Sequence, residues 1–238
     1  MTLLSRVLNA HGGIENWNSL TTVSARVTVQ GQTSPRKKPT PTHLPFNFTA
    51  WLHQERAIAT PYEDSNAPVS DGLDLANPLL YDDRLFGSHR AFATGFAGRE
   101  MRGMSERCLN HQVDLCALWT YFTIPFLFLM PGVVVKEILP WKTGNEVWRG
   151  LRAKLPPYMA TRNTVQEYYF GEDFLLRRHD YTLQEYGGDT SAQYVSDFAG
   201  ISGLSVARMR RSYLRSDMLR PDFRRLLVSI TLSDVIYS

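Results

Sequence analysis

The chain has 238 residues, and 26 lysines and arginines against 23 aspartates and glutamates give a formal net charge of +3. With 43% hydrophobic and 21% charged residues it is typical of globular proteins, and it is long enough to bury a core as one domain, 1–238. So weak a positive charge does not favour nucleic acid as a partner. The two cysteines, Cys108 and Cys116, lack the spacing of a zinc site, so we expect no metal and no cofactor.

The first residues contain no basic segment followed by an apolar core, so the sequence shows no signal peptide and predicts a cytoplasmic protein. The most apolar segment, 124–135, is too short to cross a bilayer and is interrupted by Pro125 and Pro131. We therefore expect no membrane span, and we expect this segment to line a core or a pocket. The sequence does not indicate the oligomeric state.

The first half of the chain alternates between short elements and turns. Apolar residues at helical spacing over 3–8 predict a short helix that ends near Gly12. Strict alternation over 22–30 predicts a strand with one polar face, and shorter strands are expected at 46–52 and near 57–59. Residues 31–45 contain four prolines and predict an exposed loop; a mobile lid is the alternative.

The second half is predicted to be mainly β. Apolar residues every three or four positions from Ser105 to Trp119 predict a second helix, which Pro125 ends at the latest. Seven strands follow, at 133–139, 146–155, 165–170, 174–183, 190–198, 204–213 and 226–236. Because short turns connect them, the sequence predicts an antiparallel meander and an α+β, mainly β, fold class.

Two hairpins of this meander allow a residue-by-residue register. Turns at 171–173 and 187–188 are short enough to pair Phe170 with Phe174 and Tyr186 with Asp189. In that register complementary side chains face each other: Glu167–Arg177, His179–Ser196 and Tyr181–Tyr194.

Alternation then places a mixed set of side chains on one face of the patch. They are Glu167, Tyr169, Arg177, His179, Tyr181, Tyr194 and Ser196. Such a mixture of aromatic, charged and hydroxyl groups is typical of a partly wet cavity, since a dry core would leave some of these groups unpaired. This face is the candidate site.

His179 is the candidate catalytic residue, because the pKa of imidazole lies close to neutral pH. The alternative is a structural histidine bonded to Ser196 or to a backbone carbonyl. Asp180 follows it directly and points to the other face, so the two are not a dyad. Glu167 is the reachable carboxylate, and a salt bridge to Arg177 is its alternative role.

Aromatic residues could hold a ligand. The hydroxyls of Tyr169, Tyr181 and Tyr194 could orient its polar end, or these could be half-buried sheet residues. The aromatic segment that includes Trp119 and Phe126 suits a lipophilic ligand, with core packing as the alternative. Seven arginines between 208 and 225 are interpreted as a solvated edge of the last strands; binding of an anion or of nucleic acid is the alternative.

Four short segments carry a family resemblance: 10–13 with Trp17, 123–132, 176–181 and 228–234. They resemble an uncharacterised bacterial family that is similar in fold to the lipoprotein carriers LolA and LolB. The resemblance implies an open half-barrel, a curved antiparallel sheet wrapped around one or two helices. It also implies an apolar cavity, which in the carriers holds acyl chains. The carriers are not enzymes, so no catalytic residue is carried over.

Together these patterns predict a protein that binds a lipophilic small molecule in a half-barrel cavity. Acid–base chemistry through His179 would suffice for a cyclisation, an isomerisation or a dehydration without a cofactor. The alternative is a non-catalytic carrier or sensor of acyl or isoprenoid ligands.

Overall fold

The computed structural model describes residues 1–30, 45–61, 73–74, 115–159, 163–183, 189–216 and 218–238. Its helices are α1 (Leu3–Ala10), α2 (Ile14–Ser19), α3 (Leu115–Thr123) and a 3-10 helix (Phe126–Leu129). No helix within these ranges is long and apolar enough to cross a membrane. The predicted loop and lid at 31–45, apart from its last residue, and the part of the second predicted helix before residue 115 lie outside the described residues.

Within the same ranges, eleven strands form one antiparallel sheet. They are β1 (Thr22–Gln30), β2 (Phe46–Trp51), β3 (Arg56–Pro61), β4 (Leu73–Asp74), β5 (Val134–Thr143), β6 (Glu146–Lys154), β7 (Val165–Phe170), β8 (Leu176–Leu183), β9 (Asp189–Ile201), β10 (Leu204–Arg215) and β11 (Pro221–Tyr237). Their order is β4-β3-β2-β1-β11-β10-β9-β8-β7-β6-β5. The predicted meander and fold class are confirmed, and the pairing of β1 with β11 joins two meanders into one sheet.

Local sequence explains the first elements. In α1 the side chain of Thr2 accepts a hydrogen bond from the Ser5 backbone N–H, as a helix N-cap does, and Leu3 and Val7 are buried. In β1 the alternate residues from Val23 to Val29 are buried, as the sequence predicts. Helix α2 was not predicted, since its six residues, IENWNS, bury one side chain, Trp17.

The helices pack on one face of the sheet, which we call the inner face. Aromatic side chains contribute to this packing: Phe128 of the 3-10 helix meets Tyr168 of β7 edge-on at 4.9 Å, and within the helical cover the ring of Trp17 stacks on Phe126 with centroids 4.4 Å apart. Burial of such large rings removes much apolar surface from water, and this stabilises the helical cover.

The predicted register of the first hairpin, β7–β8, is wrong by three residues. Glu167 pairs with Asp180 and not with Arg177. The turn is longer than predicted, because the Gly171 N–H donates to the Leu175 carbonyl, and a bulge near the turn shifts the pairing by one residue more.

The second hairpin, β8–β9, is also shifted by three residues. Tyr194 pairs with Arg178 and not with Tyr181, and pairing reaches only to Leu183 and Asp189. A shift by an odd number turns a strand over relative to its neighbour. Both errors involve β8. His179 of β8 lies on the inner face, whereas Glu167 and Tyr169 of β7 and Tyr194 of β9, which were predicted to share that face, lie on the outer one.

A substitution at Gly12, just after α1, tests how closely the end of this helix approaches the sheet. Its φ is +119°, and a Cβ there would lie 2.5 Å from the carbonyl oxygen of Gly203. We predict that Gly12→Ala lowers the free energy of unfolding by about 2 kcal/mol or more, through strain and collision with backbone. Gly13→Ala, at φ +81° with nothing within 4 Å, should cost about 1 kcal/mol. If urea denaturation showed the same loss of unfolding free energy for Gly12→Ala and Gly13→Ala, the close approach at Gly12 would be contradicted.

Candidate functional site

The shifted registers on both sides of β8 divide the predicted site between two faces. Tyr168 and Gln193 flank His179 in the sheet, and Tyr181 shares its face through a 3.3 Å contact with the hydroxyl of Ser212. The outer face carries four of the other predicted residues, Glu167, Tyr169, Tyr194 and Ser196. The prediction that all of these line one cavity is therefore wrong, and Ser196 is solvent-exposed and not opposite His179.

His179 is held in the inner layer of the sheet. It is 3% exposed, and its ring stacks on Tyr168 with centroids 4.4 Å apart and an 8° angle between planes. Its Nε2 lies 2.6 Å from the side-chain oxygen of Gln166, which also accepts the Tyr168 hydroxyl at 2.7 Å. Because this oxygen can only accept, Nε2 carries the proton. His179 is a structural partner of Gln166 in this arrangement.

Electrostatics keep this imidazole neutral. Burial, with a smaller effect of the nearby Arg210 charge, lowers the pKa of His179 to about 3. At neutral pH a group with so low a pKa is not an imidazolium, so it is a poor acid, and it is also a weak base. Burial likewise lowers the pKa of His11, behind α1, to about 4.

Glu167 and Arg177 are each bound to another partner. Both Arg152 Nε and Nη2 donate to Glu167 Oε1, at 3.0 and 2.6 Å, and the Tyr169 hydroxyl donates to Oε2 at 2.9 Å. Arg177 forms an ion pair with Asp173 in the turn. The Glu167–Arg177 salt bridge suggested by the sequence is therefore not formed.

The outer face contains a buried ion pair. Arg178 is fully buried, and its Nε and Nη2 donate to the Asp180 carboxylate at 2.6 and 2.7 Å. Arg215 donates to the same carboxylate at 2.8 Å. Aromatic rings surround the Arg178 guanidinium: Trp141, Tyr169 and Tyr194. Two tyrosines predicted to hold a ligand thus cover an ion pair within β8, which Arg215 links to β10.

A small cavity lies between the inner face and the helices. Its volume is about 20 Å³, and its walls are mostly apolar side chains of the helices and of β8 to β10. They include Trp17, Phe122, Phe126, Leu176, Val195 and Val206. Phe126 is therefore placed where the sequence expected a lipophilic ligand. Trp119 lies in the core, where its indole N–H donates to the Trp51 carbonyl at 2.8 Å.

Arg210 projects into this apolar region, and the sequence did not identify it. It is 4% exposed, so the interpretation of the whole arginine cluster as a solvated edge is wrong for this residue. Its Nη2 donates to the Tyr121 carbonyl at 2.9 Å, and Nη1 lies 3.2 Å from the side-chain oxygen of Gln193. Alternation along β10 contained the signal, because Leu204, Val206, Ser212 and Leu214 share its phase and are buried.

Comparison with solved structures gives similar folds. A LolA superfamily protein from Nitrosomonas europaea has a TM-score of 0.52, at 7% identity over 98% of this chain and 91% of that chain. A DUF1329 family protein from Desulfovibrio piger has a TM-score of 0.44 at 10% identity, over 99% and 92%. A putative outer membrane lipoprotein-sorting protein domain from Vibrio parahaemolyticus has a TM-score of 0.46 at 8% identity, over 99% and 91%.

No protein-family model and no curated protein matches the chain. The match to the Nitrosomonas structure confirms that the fold is LolA-like, as the resemblance implied. At 7% identity, what is shared is the fold.

The two buried histidines predict acid sensitivity. The unfolded chain takes up a proton at each of them below about pH 6.5, whereas the folded chain keeps both neutral until the pKa values of His11 and His179, about 4 and about 3. The contribution of these two neutral histidines to the free energy of unfolding is therefore fully present above pH 6.5 and is lost as the pH falls towards their folded-state pKa values. We expect His179→Gln to reduce the slope of unfolding free energy against pH near pH 5 by about 1.4 kcal/mol per unit. An unchanged slope in urea titrations would show that His179 is protonated in the folded state.

The outer ion pair gives a second stability test. Asp180→Asn leaves Arg178 buried without a carboxylate, so we expect a loss of about 3–5 kcal/mol. The matched control is Asp173→Asn, which removes a half-exposed ion pair and should cost less than about 1 kcal/mol. Chemical denaturation of both variants measures the difference, and similar small losses would show that the Asp180 pairing does not secure the sheet.

Proposed function

We propose that the protein binds a lipophilic small molecule between the inner face of the sheet and its helical cover, and carries it unchanged. The observation that supports this most is the cavity beneath the cover, most of whose lining residues are aromatic or aliphatic. Apolar walls with few polar groups suit a lipophilic ligand. Acyl and isoprenoid chains are the ligand classes that we propose.

Two stacked rings of the cover mark the place where such a chain would lie. Phe126, on the 3-10 helix, and Trp17, on α2, both line the cavity and stack on each other. A flexible apolar chain placed between these rings would replace one set of apolar contacts with another, so the exchange costs little free energy. The resemblance to the lipoprotein carriers, whose cavity holds acyl chains, supports the same ligand class.

Acid–base catalysis through His179 has less support. Its imidazole is buried, stacked on Tyr168 and bonded to Gln166, and it is not part of the cavity wall. Its low pKa makes it a poor proton donor and a weak base at neutral pH. The non-catalytic carrier is therefore the function that we propose.

A variant that narrows the cavity tests the proposal. Val206 lines the wall, and Val206→Phe adds a ring where a ligand would lie. We expect the affinity for the neutral probe N-phenyl-1-naphthylamine, followed by its fluorescence, to fall at least tenfold. The overpacking should cost about 1–3 kcal/mol of stability, which circular dichroism would follow.

The control is the same substitution at an exposed valine. Val165, at the start of β7, is 48% exposed, and Val165→Phe should leave probe affinity unchanged. Unaltered probe binding by a folded Val206→Phe variant, or no binding by the wild type, would refute a ligand site at this cavity.

A further inference from the structure

Arg210 gives the apolar cavity a positive charge. Of the two ionisable bases on the wall, His11 is neutral at physiological pH, whereas the Arg210 guanidinium is charged. The guanidinium lies 4.5 Å from the ring centroid of Tyr121 on α3. The cavity therefore has one charged point in an otherwise apolar lining.

The groups that hold Arg210 are all neutral. Its hydrogen bonds go to the Tyr121 carbonyl and to the Gln193 side chain, and in the part of the chain that the structure describes its buried Nε has no hydrogen-bond partner. No carboxylate within that part forms an ion pair with it. Arg178 provides the internal comparison, since it is equally buried and a bidentate bond to Asp180 compensates its charge.

A buried charge without a counter-ion is costly. Removal of a guanidinium from water costs several kcal/mol, and neutral hydrogen-bond acceptors return only part of this. The same burial lowers the pKa of Arg210 to about 10, although nearby tyrosines partly offset it. Uncompensated charges of this kind occur at sites that bind an oppositely charged ligand.

We propose that the lipophilic ligand carries an anionic head group, a carboxylate or a phosphate, which binds the Arg210 guanidinium while its chain lies against the apolar wall. This inference rests on the proposed function and specifies its ligand. The planar fork of a guanidinium matches two oxygens of either group. The Nε–H that lacks a partner supplies one of the two parallel hydrogen bonds.

Gln193 positions the guanidinium for this contact. Its side-chain N–H donates to the Tyr121 hydroxyl at 2.8 Å and to Ser212 at 3.1 Å, so its oxygen is held towards Arg210. Arg210 is thus anchored from β9 on one side and from α3 on the other. An anchored side chain loses less conformational entropy when a ligand binds.

The test compares an acid with its neutral ester on the full-length, delipidated chain. The fluorescent probe cis-parinaric acid and its methyl ester have the same chain and differ in head-group charge. We expect the wild type to bind the acid at least tenfold more tightly than the ester at pH 7.4. This comparison needs no variant, so it stands even if a substitution at Arg210 fails to fold.

Three variants assign the preference to Arg210. Arg210→Met, of similar length, should weaken acid binding at least tenfold and leave ester binding unchanged, and Arg210→Lys should lie between it and the wild type. The control is Arg211→Met, which removes the same charge from the adjacent, exposed position of β10. It should bind both probes as the wild type does. A purely structural role for Arg210 would weaken both probes alike.

The outcomes separate the two proposals. Binding of neither probe by the wild type would refute the proposed function. Equal affinities for acid and ester, or a preference for the acid that survives in Arg210→Met, would overturn the head-group inference and leave the lipophilic site intact. Competition with hexadecyl phosphate and palmitate then distinguishes the two anions, since the preferred head group displaces cis-parinaric acid at the lower concentration.

Discussion

The pairing of β1 with β11 is the contact on which the rest of the fold depends. Without it the chain would form two separate meanders, β1–β4 and β5–β11, and the sheet would be divided in two. Helix α3 packs over this junction: Phe122 stacks on Phe48 of β2 at 5.3 Å, and its carbonyl accepts the Tyr237 hydroxyl of β11 at 3.2 Å. The helix thus touches both meanders, and its Tyr121 and Phe122 line the cavity.

Each face of the sheet contains a buried arginine, and the two differ in their hydrogen-bond partners. On the outer face the charge of Arg178 meets Asp180, a second arginine and several rings, so the group is closed and its role is to hold strands together. On the inner face Arg210 has neutral partners and a cavity beside it. The folding free energy alone would favour an apolar residue at that position. The anionic head group that we propose would supply the counter-ion that Arg210 lacks among the described residues.

The strands could be predicted from the sequence, because in a strand with one buried face apolar and polar residues alternate, as they do in β1. Register could not, because it depends on turn length: the turn after Phe170 is longer than its glycine suggested, and with the bulge it shifts the pairing of β7 with β8 by three residues. The shift left His179 and Tyr181 of β8 on the inner face and placed Glu167, Tyr169 and Tyr194 of the neighbouring strands on the outer one. Arg210 was misinterpreted for a different reason, since its neighbours in sequence suggested a charged edge while its phase in β10 placed it inside.

The size of the cavity determines what binding requires. About 20 Å³ holds roughly one water molecule, so a lipophilic chain can enter only if the helical cover moves away from the sheet. Separating a stacked aromatic pair such as Trp17 and Phe126 costs about 0.5–1.5 kcal/mol beyond the lost apolar contact, and each buried methylene of a ligand returns about 0.8 kcal/mol. In the proposed complex any long chain supplies this second contribution, but only an anionic head group also relieves the unpaired charge of Arg210. The opening of the cover is thereby coupled to head-group chemistry, because an acid stabilises the open state through two independent contributions and a neutral lipid through one.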